Sequence, residues 1–352
     1  MSRTALKCLD RAFSLLVVCP LVVLYWRGVW SLTDKFVLPH CRLLSGWVTW
    51  AAGFTVVFLL TAVQGATKNL AARQPGYVQI ITRIQQALCG VASVFAWRGF
   101  WLIEDVYLGI SLGSSTITFA VPLIMLLLLR SLRNAAESSP LVLIIDDASD
   151  CLDIPTRFQT KVRDSKTRYL ADCFISVFVI GTLNISVWRG LWSFLDQVIL
   201  PIDLLSSAVV SLAIGCVLTL SMFIAEPVLI RVHNIFRAWS SRRRKLWLLM
   251  LEDVWSFFGT LAVVTTWRAV WMVADIYLGL DVPWTFGSTV ASAWLLSVLC
   301  CSCTIPGVGT ITDGQPPERG GPALPFRIAY FTAITREGEV VQQLDAEAPM
   351  IN

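Results

Sequence analysis

Long apolar stretches alternate along the chain with short polar breaks. Eight stretches reach or approach the roughly 20 mainly apolar residues that a helix needs to cross a bilayer. They cover residues 12–33, 43–64, 84–104, 114–131, 172–195, 203–225, 250–274 and 284–304. The first follows Arg3, Lys7 and Arg11, as the apolar core of a signal peptide would. It continues through Trp26 without a small-residue cleavage site, so it reads as a retained first span.

One nine-residue phrase, Trp-Arg-(Gly/Ala)-x-Trp-x-x-x-Asp, closes every second apolar stretch. The copies are Trp26, Arg27, Trp30, Asp34; then Trp97, Arg98, Trp101, Asp105; then Trp188, Arg189, Trp192, Asp196; and last Trp267, Arg268, Trp271, Asp275. The small third residue is Gly28, Gly99, Gly190 and Ala269. Copies one and three share further features: Asp10 and Asp172 sixteen residues before the first Trp, and Pro39 and Pro201 thirteen after it. Copies two and four run instead into Asp-x-Tyr-Leu-Gly, at Asp105 to Gly109 and Asp275 to Gly279. The expected fold is an all-α integral membrane protein with eight transmembrane helices. They form two four-helix halves, each of two helical hairpins, and every motif rides on an odd-numbered span of the same direction. The halves are therefore parallel repeats rather than inverted ones. The expected divisions are 1–130 for the first half, 131–171 for a flexible or peripheral cytosolic connector, 172–305 for the second half, and 306–352 for a flexible cytosolic tail. In that tail an apolar patch, 326–334, reads as packing on the chain's own helices, with docking on a partner as the alternative.

At about 100° per residue, the two Trp, the Asp and the Arg of a copy fall within one quadrant of the helix, and the small residue points to the opposite side. A small residue there lets a neighbouring helix approach closely. An Arg near a helix centre costs about 2.5–3.5 kcal/mol to insert. Its Cα–Cβ bond tilts toward the helix N-terminus, away from the nearer interface. An internal partner is therefore expected: the Asp of another repeat, a carbonyl, or a Trp face. The same-helix Asp lies about 10 Å further along. Three meanings stay open for the motif: clusters that fix helix register and the aromatic belt, a central site for an anion or polar solute, or a docking surface for another membrane protein.

Composition agrees with the membrane reading: 56% hydrophobic residues, 15% charged and 15 Trp exclude a soluble or disordered chain. With the N-terminus in the cytosol, only Lys35 and Arg42 among the 28 Lys and Arg fall outside, the four motif arginines set aside. That asymmetry places both termini in the cytosol. The run Arg242, Arg243, Arg244 and Lys245 is a candidate contact for anionic lipid. Nine of the ten cysteines fall in intramembrane or cytosolic positions, where thiols stay reduced. Cys300, Cys301 and Cys303 are candidates for acylation, with plain helix-end packing as the alternative. The residues offer no phosphate-binding loop, zinc motif or nucleophile elbow, so no enzyme activity, metal or cofactor is expected, and no nucleic-acid partner.

The repeated Trp-Arg-Gly-x-Trp phrase with its trailing Asp, the eight spans and the cytosolic termini together resemble the fuseless family of multi-pass membrane proteins, over roughly residues 10–305. Ala269 departs mildly from Gly in the fourth copy. The resemblance implies a neuronal plasma-membrane protein at the presynaptic side. It would support active-zone organisation and synaptic transmission, with presynaptic membrane or scaffold proteins and membrane lipid as partners, calcium channels or release machinery among what it localises. A transporter or channel with an Arg-lined polar site is the alternative.

Overall fold

The computed structural model describes residues 2–146, 151–162, 165–238, 244–307, 309–313 and 327–335. Among them the chain is all-helical, with one isolated bridge between Val142 and Arg327. The apolar stretches become α2 (Cys19–Phe36), α3 (Arg42–Arg73), α4 (Val78–Leu108), α5 (Leu112–Leu128), α7 (Gly181–Val198), α8 (Leu204–Ala238), α9 (Arg244–Leu278) and α10 (Val282–Val298). Two basal extensions, α1 (Arg3–Phe13) and α6 (Lys166–Phe174), join α2 and α7 through π-helical turns at Ser14–Val18 and Ile175–Ile180. These turns stand at matching places in copies one and three, shortly after Asp10 and Asp172.

Among the described residues six helical rods are long and apolar enough to cross a membrane: Thr4–Phe36, Arg42–Arg73, Val78–Leu108, Lys166–Val198, Leu204–Phe236 and Arg244–Leu278. The chain is thus an integral membrane protein by length and composition. The other two apolar stretches form α5 and α10, of 17 residues each. Both stop at residues forced to positive φ, Arg130 and Cys300, each at 52°.

The four motif helices α2, α4, α7 and α9 stand at the centre. Each following helix packs most extensively on the next motif helix rather than on the one it follows: α3 on α4, α5 on α7, α8 on α9, and α10 back on α2. The hairpins expected between each motif helix and the helix that follows it therefore do not form; α3 with α4 and α8 with α9 pair instead. The motif's small residue decides this. A Cβ on Gly99 would lie 2.7 Å from the Gly46 carbonyl of α3, and one on Gly190 would lie 2.7 Å from the Thr118 carbonyl carbon of α5. Backbones can approach this closely only where the side chain is missing.

The segment after α5 is not a peripheral connector. Its 3-10 turn, Leu132–Ala136, and residues Leu141 and Val142 are buried under the bundle. The reason is capping: helix ends leave backbone groups that need partners. The two halves exchange caps. Asp146, from the connector, accepts from Cys303 N (2.8 Å) and Ser302 Oγ (2.6 Å) at the end of the second half. Asp313, from the tail, accepts from Leu132 N (2.8 Å) and Arg133 N (3.1 Å) at the end of the first. Burial pushes the Asp313 carboxyl above its ordinary range against these hydrogen bonds. Tail residues 309–313 are therefore held against the end of the first half. The tail's apolar patch also packs on the chain: Tyr330 and Phe331 sit against Phe13, with centroids 4.7 and 5.3 Å away, and Asp10 accepts from Thr332 Oγ1.

The expectation that the basal cysteines stay free thiols does not hold for Cys151 and Cys303, which form a disulfide with Cα atoms 5.7 Å apart. Folding the connector back beneath the last helix brings these distant positions together. One Asp146 carboxylate oxygen and the two sulfurs lie within 4.8 Å of one another.

Candidate functional site: a ring of arginine sockets

Each motif Arg leaves its own repeat and enters a socket made by the preceding one. Arg98 donates from Nε to Asp34 (2.8 Å), from Nη2 to Ser45 Oγ (3.0 Å) and from Nη1 to Thr49 Oγ1 (3.2 Å). Arg268 repeats this arrangement on Asp196 (2.7 Å), Ser207 (2.8 Å) and Ser211. Arg189 enters the second repeat, reaching Asp105 (3.0 Å), the Gly109 carbonyl (2.6 Å), Ser114 (3.3 Å) and Thr118 (3.2 Å). Arg27, from the first repeat, closes the circle on the fourth, at Asp275 (2.6 Å) and the Gly279 carbonyl. The arginine side chains are at most 3% exposed. Charge-assisted hydrogen bonds offset the cost of burying each one.

The sockets come in two kinds, which explains the difference between odd and even copies. In copies one and three, hydroxyls at the start of the next helix receive the guanidinium; Ser45 and Ser207 meanwhile donate to the Val37 and Ile199 carbonyls. A hydroxyl back-bonded in this way keeps a lone pair free for an incoming donor. In copies two and four, the Gly of Asp-x-Tyr-Leu-Gly adopts φ 66° and 63° and turns its carbonyl to the Arg. That backbone conformation is nearly exclusive to glycine. The hydroxyl partners were missed in the sequence. Their signal was there, as pairs of Ser or Thr four apart near the start of α3, α5 and α8.

The motif tryptophans surround the axis in two stacked rings. Trp26, Trp97, Trp188 and Trp267 contact one another edge to face at 5.3–5.6 Å. Trp30, Trp101, Trp192 and Trp271 do the same at 5.6–5.9 Å. Edge-to-face contact is the favoured aromatic geometry, at about 0.5–1.5 kcal/mol per pair beyond burial. Three indole N–H groups of the first ring donate to basal carbonyls: Trp26 to Ile305, Trp188 to Ala135 and Trp267 to Ser139. The arginines lie outside these rings, and none of the four borders the axial hollow.

The remaining candidates are dispersed. Cys300 is exposed, but Cys301 is buried and Cys303 is bonded to Cys151, so among the three only Cys300 presents a thiol for acylation. Arg244 and Lys245 begin α9; Arg242 and Arg243 lie outside the described residues. One further buried acid, Glu104, accepts from Ser186 Oγ at 2.7 Å between α4 and α7.

A helical membrane protein whose repeats interlock head to tail into a closed ring is the class these contacts define. The chain belongs to the Fuseless family, whose family model matches residues 5–305. No curated protein and no solved structure matches it.

Proposed function

We propose that this chain is a non-enzymatic neuronal membrane protein that organises the presynaptic active zone and supports synaptic transmission by localising calcium channels or release machinery. Family membership points to that role, and one structural observation favours it over transport. The four arginines that would line a polar pathway are instead spent on joining repeats, and none of them borders the axial hollow. A ring held in this way suits a fixed platform. On this reading all eight apolar helices cross the bilayer, since 17 residues of α5 and α10 span about 25 Å. The basic base, the connector and both termini face the cytosol, where scaffold proteins dock and Arg244 and Lys245 meet anionic lipid.

The test is proximity labelling from the full-length chain in neurons, with a second membrane protein of the same cells as reference. Enrichment of presynaptic calcium channels or release proteins is the expected result. A label set indistinguishable from the reference overturns the proposal.

A further inference from the structure

A hollow of about 370 Å³ runs from the tryptophan rings to the base. This lies within the range of small-molecule sites. Its wall extends from Trp192 down to Ser176 on one rod, about 24 Å along the axis. The hollow is therefore long and thin, the shape of one extended chain. All eight motif tryptophans border it, joined by Phe54, Val57 and Val177. Polar side chains enter the lower part, among them Ser93, Asn134, Glu137 and Asn184.

Charge narrows the ligand class. Glu137 is the one titratable residue that borders the hollow among the described residues, and Arg133 neutralises it in a buried pair. An ion inside would have no counter-charge, so the occupant is neutral. Two polar groups are left to receive it. Trp97 is the one member of its ring whose indole N–H has no acceptor among the described residues, and it borders the hollow. Asn184 donates to the Asn134 carbonyl at 3.4 Å, and its own side-chain oxygen has no donor. A hydroxyl satisfies both needs, accepting from one group and donating to the other.

We propose that this hollow binds an uncharged, single-chain lipid with a hydroxyl head, of the monoacylglycerol kind, its head beside Trp97 and Asn184 and its chain along the aromatic wall. The site is independent of the presynaptic role.

The experiment uses the full-length chain in phosphatidylcholine nanodiscs and reads tryptophan fluorescence as a chain-brominated monoacylglycerol is added. Saturable quenching, reversed by unbrominated monooleoylglycerol, is expected. The brominated free fatty acid, which is charged, should quench only in proportion to its partitioning. Asn184→Leu removes one hydrogen bond, worth about 1–1.5 kcal/mol, and should weaken the apparent affinity about tenfold. Val57→Trp, which narrows the hollow from α3, should abolish the saturable phase and covers the case in which Asn184→Leu fails to fold. Quenching that is linear in probe, equal for the charged fatty acid, or unchanged in folded Val57→Trp overturns the proposal.

Discussion

The sockets of Arg189 and Arg27 are built on the same Asp-x-Tyr-Leu-Gly plan yet hold their guanidinium groups unequally. In the first, Asp105, the Gly109 carbonyl, Ser114 and Thr118 engage Nε and both terminal nitrogens. In the second, Asp275 and the Gly279 carbonyl engage two nitrogens, and Nη1 of Arg27 is buried without a partner. Asp105, Gly109 and the cap residue Ser111 each precede Asp275, Gly279 and Asp281 by 170 positions. By that spacing Trp284 and Ser288 stand where Ser114 and Thr118 do. Trp284 carries no hydroxyl and is exposed. The fully furnished socket joins consecutive repeats, and the sparse one joins the last repeat to the first. Ring closure is therefore the weakest joint, and it is where the ring should open first.

Substitutions at paired positions break or sharpen this contrast. The largest effect is expected from removing the guanidinium. Arg189→Gln leaves the mostly buried Asp105 without its ion pair and should cost about 3–5 kcal/mol, read as a fall in the thermal midpoint of the purified protein. Arg27→Gln should cost clearly less, because it also removes an unpartnered buried donor. Equal losses would show that the hydroxyls add nothing. Next come the small residues on the backs of the same helices. In Gly190→Ala the new methyl meets the backbone of Thr118 and Phe119, which cannot turn aside; in Gly28→Ala it meets the Thr289 side chain. Overpacking of this kind costs about 1–3 kcal/mol, and Gly190 should sit at the upper end. If Gly28→Ala proves the worse of the two in chemical denaturation, the order of tightness is reversed.

Smaller again is Thr118→Val, which deletes one hydrogen bond to a charged group, worth about 1.5 kcal/mol at this length. A change within error would remove Thr118 from the socket. The least effect is expected from Trp284→Ser, which offers the fourth socket the hydroxyl it lacks. A gain of up to about 1 kcal/mol is expected. A loss in the same melting assay would mean that the Trp284 ring, not the missing hydroxyl, matters there.

Much of this contrast was legible beforehand, though not as a contrast. The four Trp-Arg phrases announced buried arginines needing internal partners, and the Asp of a neighbouring repeat was among the partners expected. The glycine of Asp-x-Tyr-Leu-Gly was visible as a difference between copies, but its use was hidden. A carbonyl becomes a ligand only through backbone direction, which residue identity does not display. The hydroxyl pairs escaped notice because Ser and Thr are common in apolar helices and bond their own helix by default. The connector misled for a related reason. It was expected to be flexible or peripheral, while its Asp146 is a capping group whose targets, Ser302 and Cys303, lie far along the chain at the end of the second half.

By itself the sequence determined the helices, the fourfold repetition, the one-sided motif face and the small-residue back, because all of these follow from apolar length and the fixed angle per residue of a helix. Tertiary structure alone decided which repeat each arginine enters, that each following helix crosses to the next motif helix, and that the fourth repeat closes on the first. These are choices among chemically equal partners. Only close packing of glycine against a particular backbone, and the closure of the circle, tells them apart.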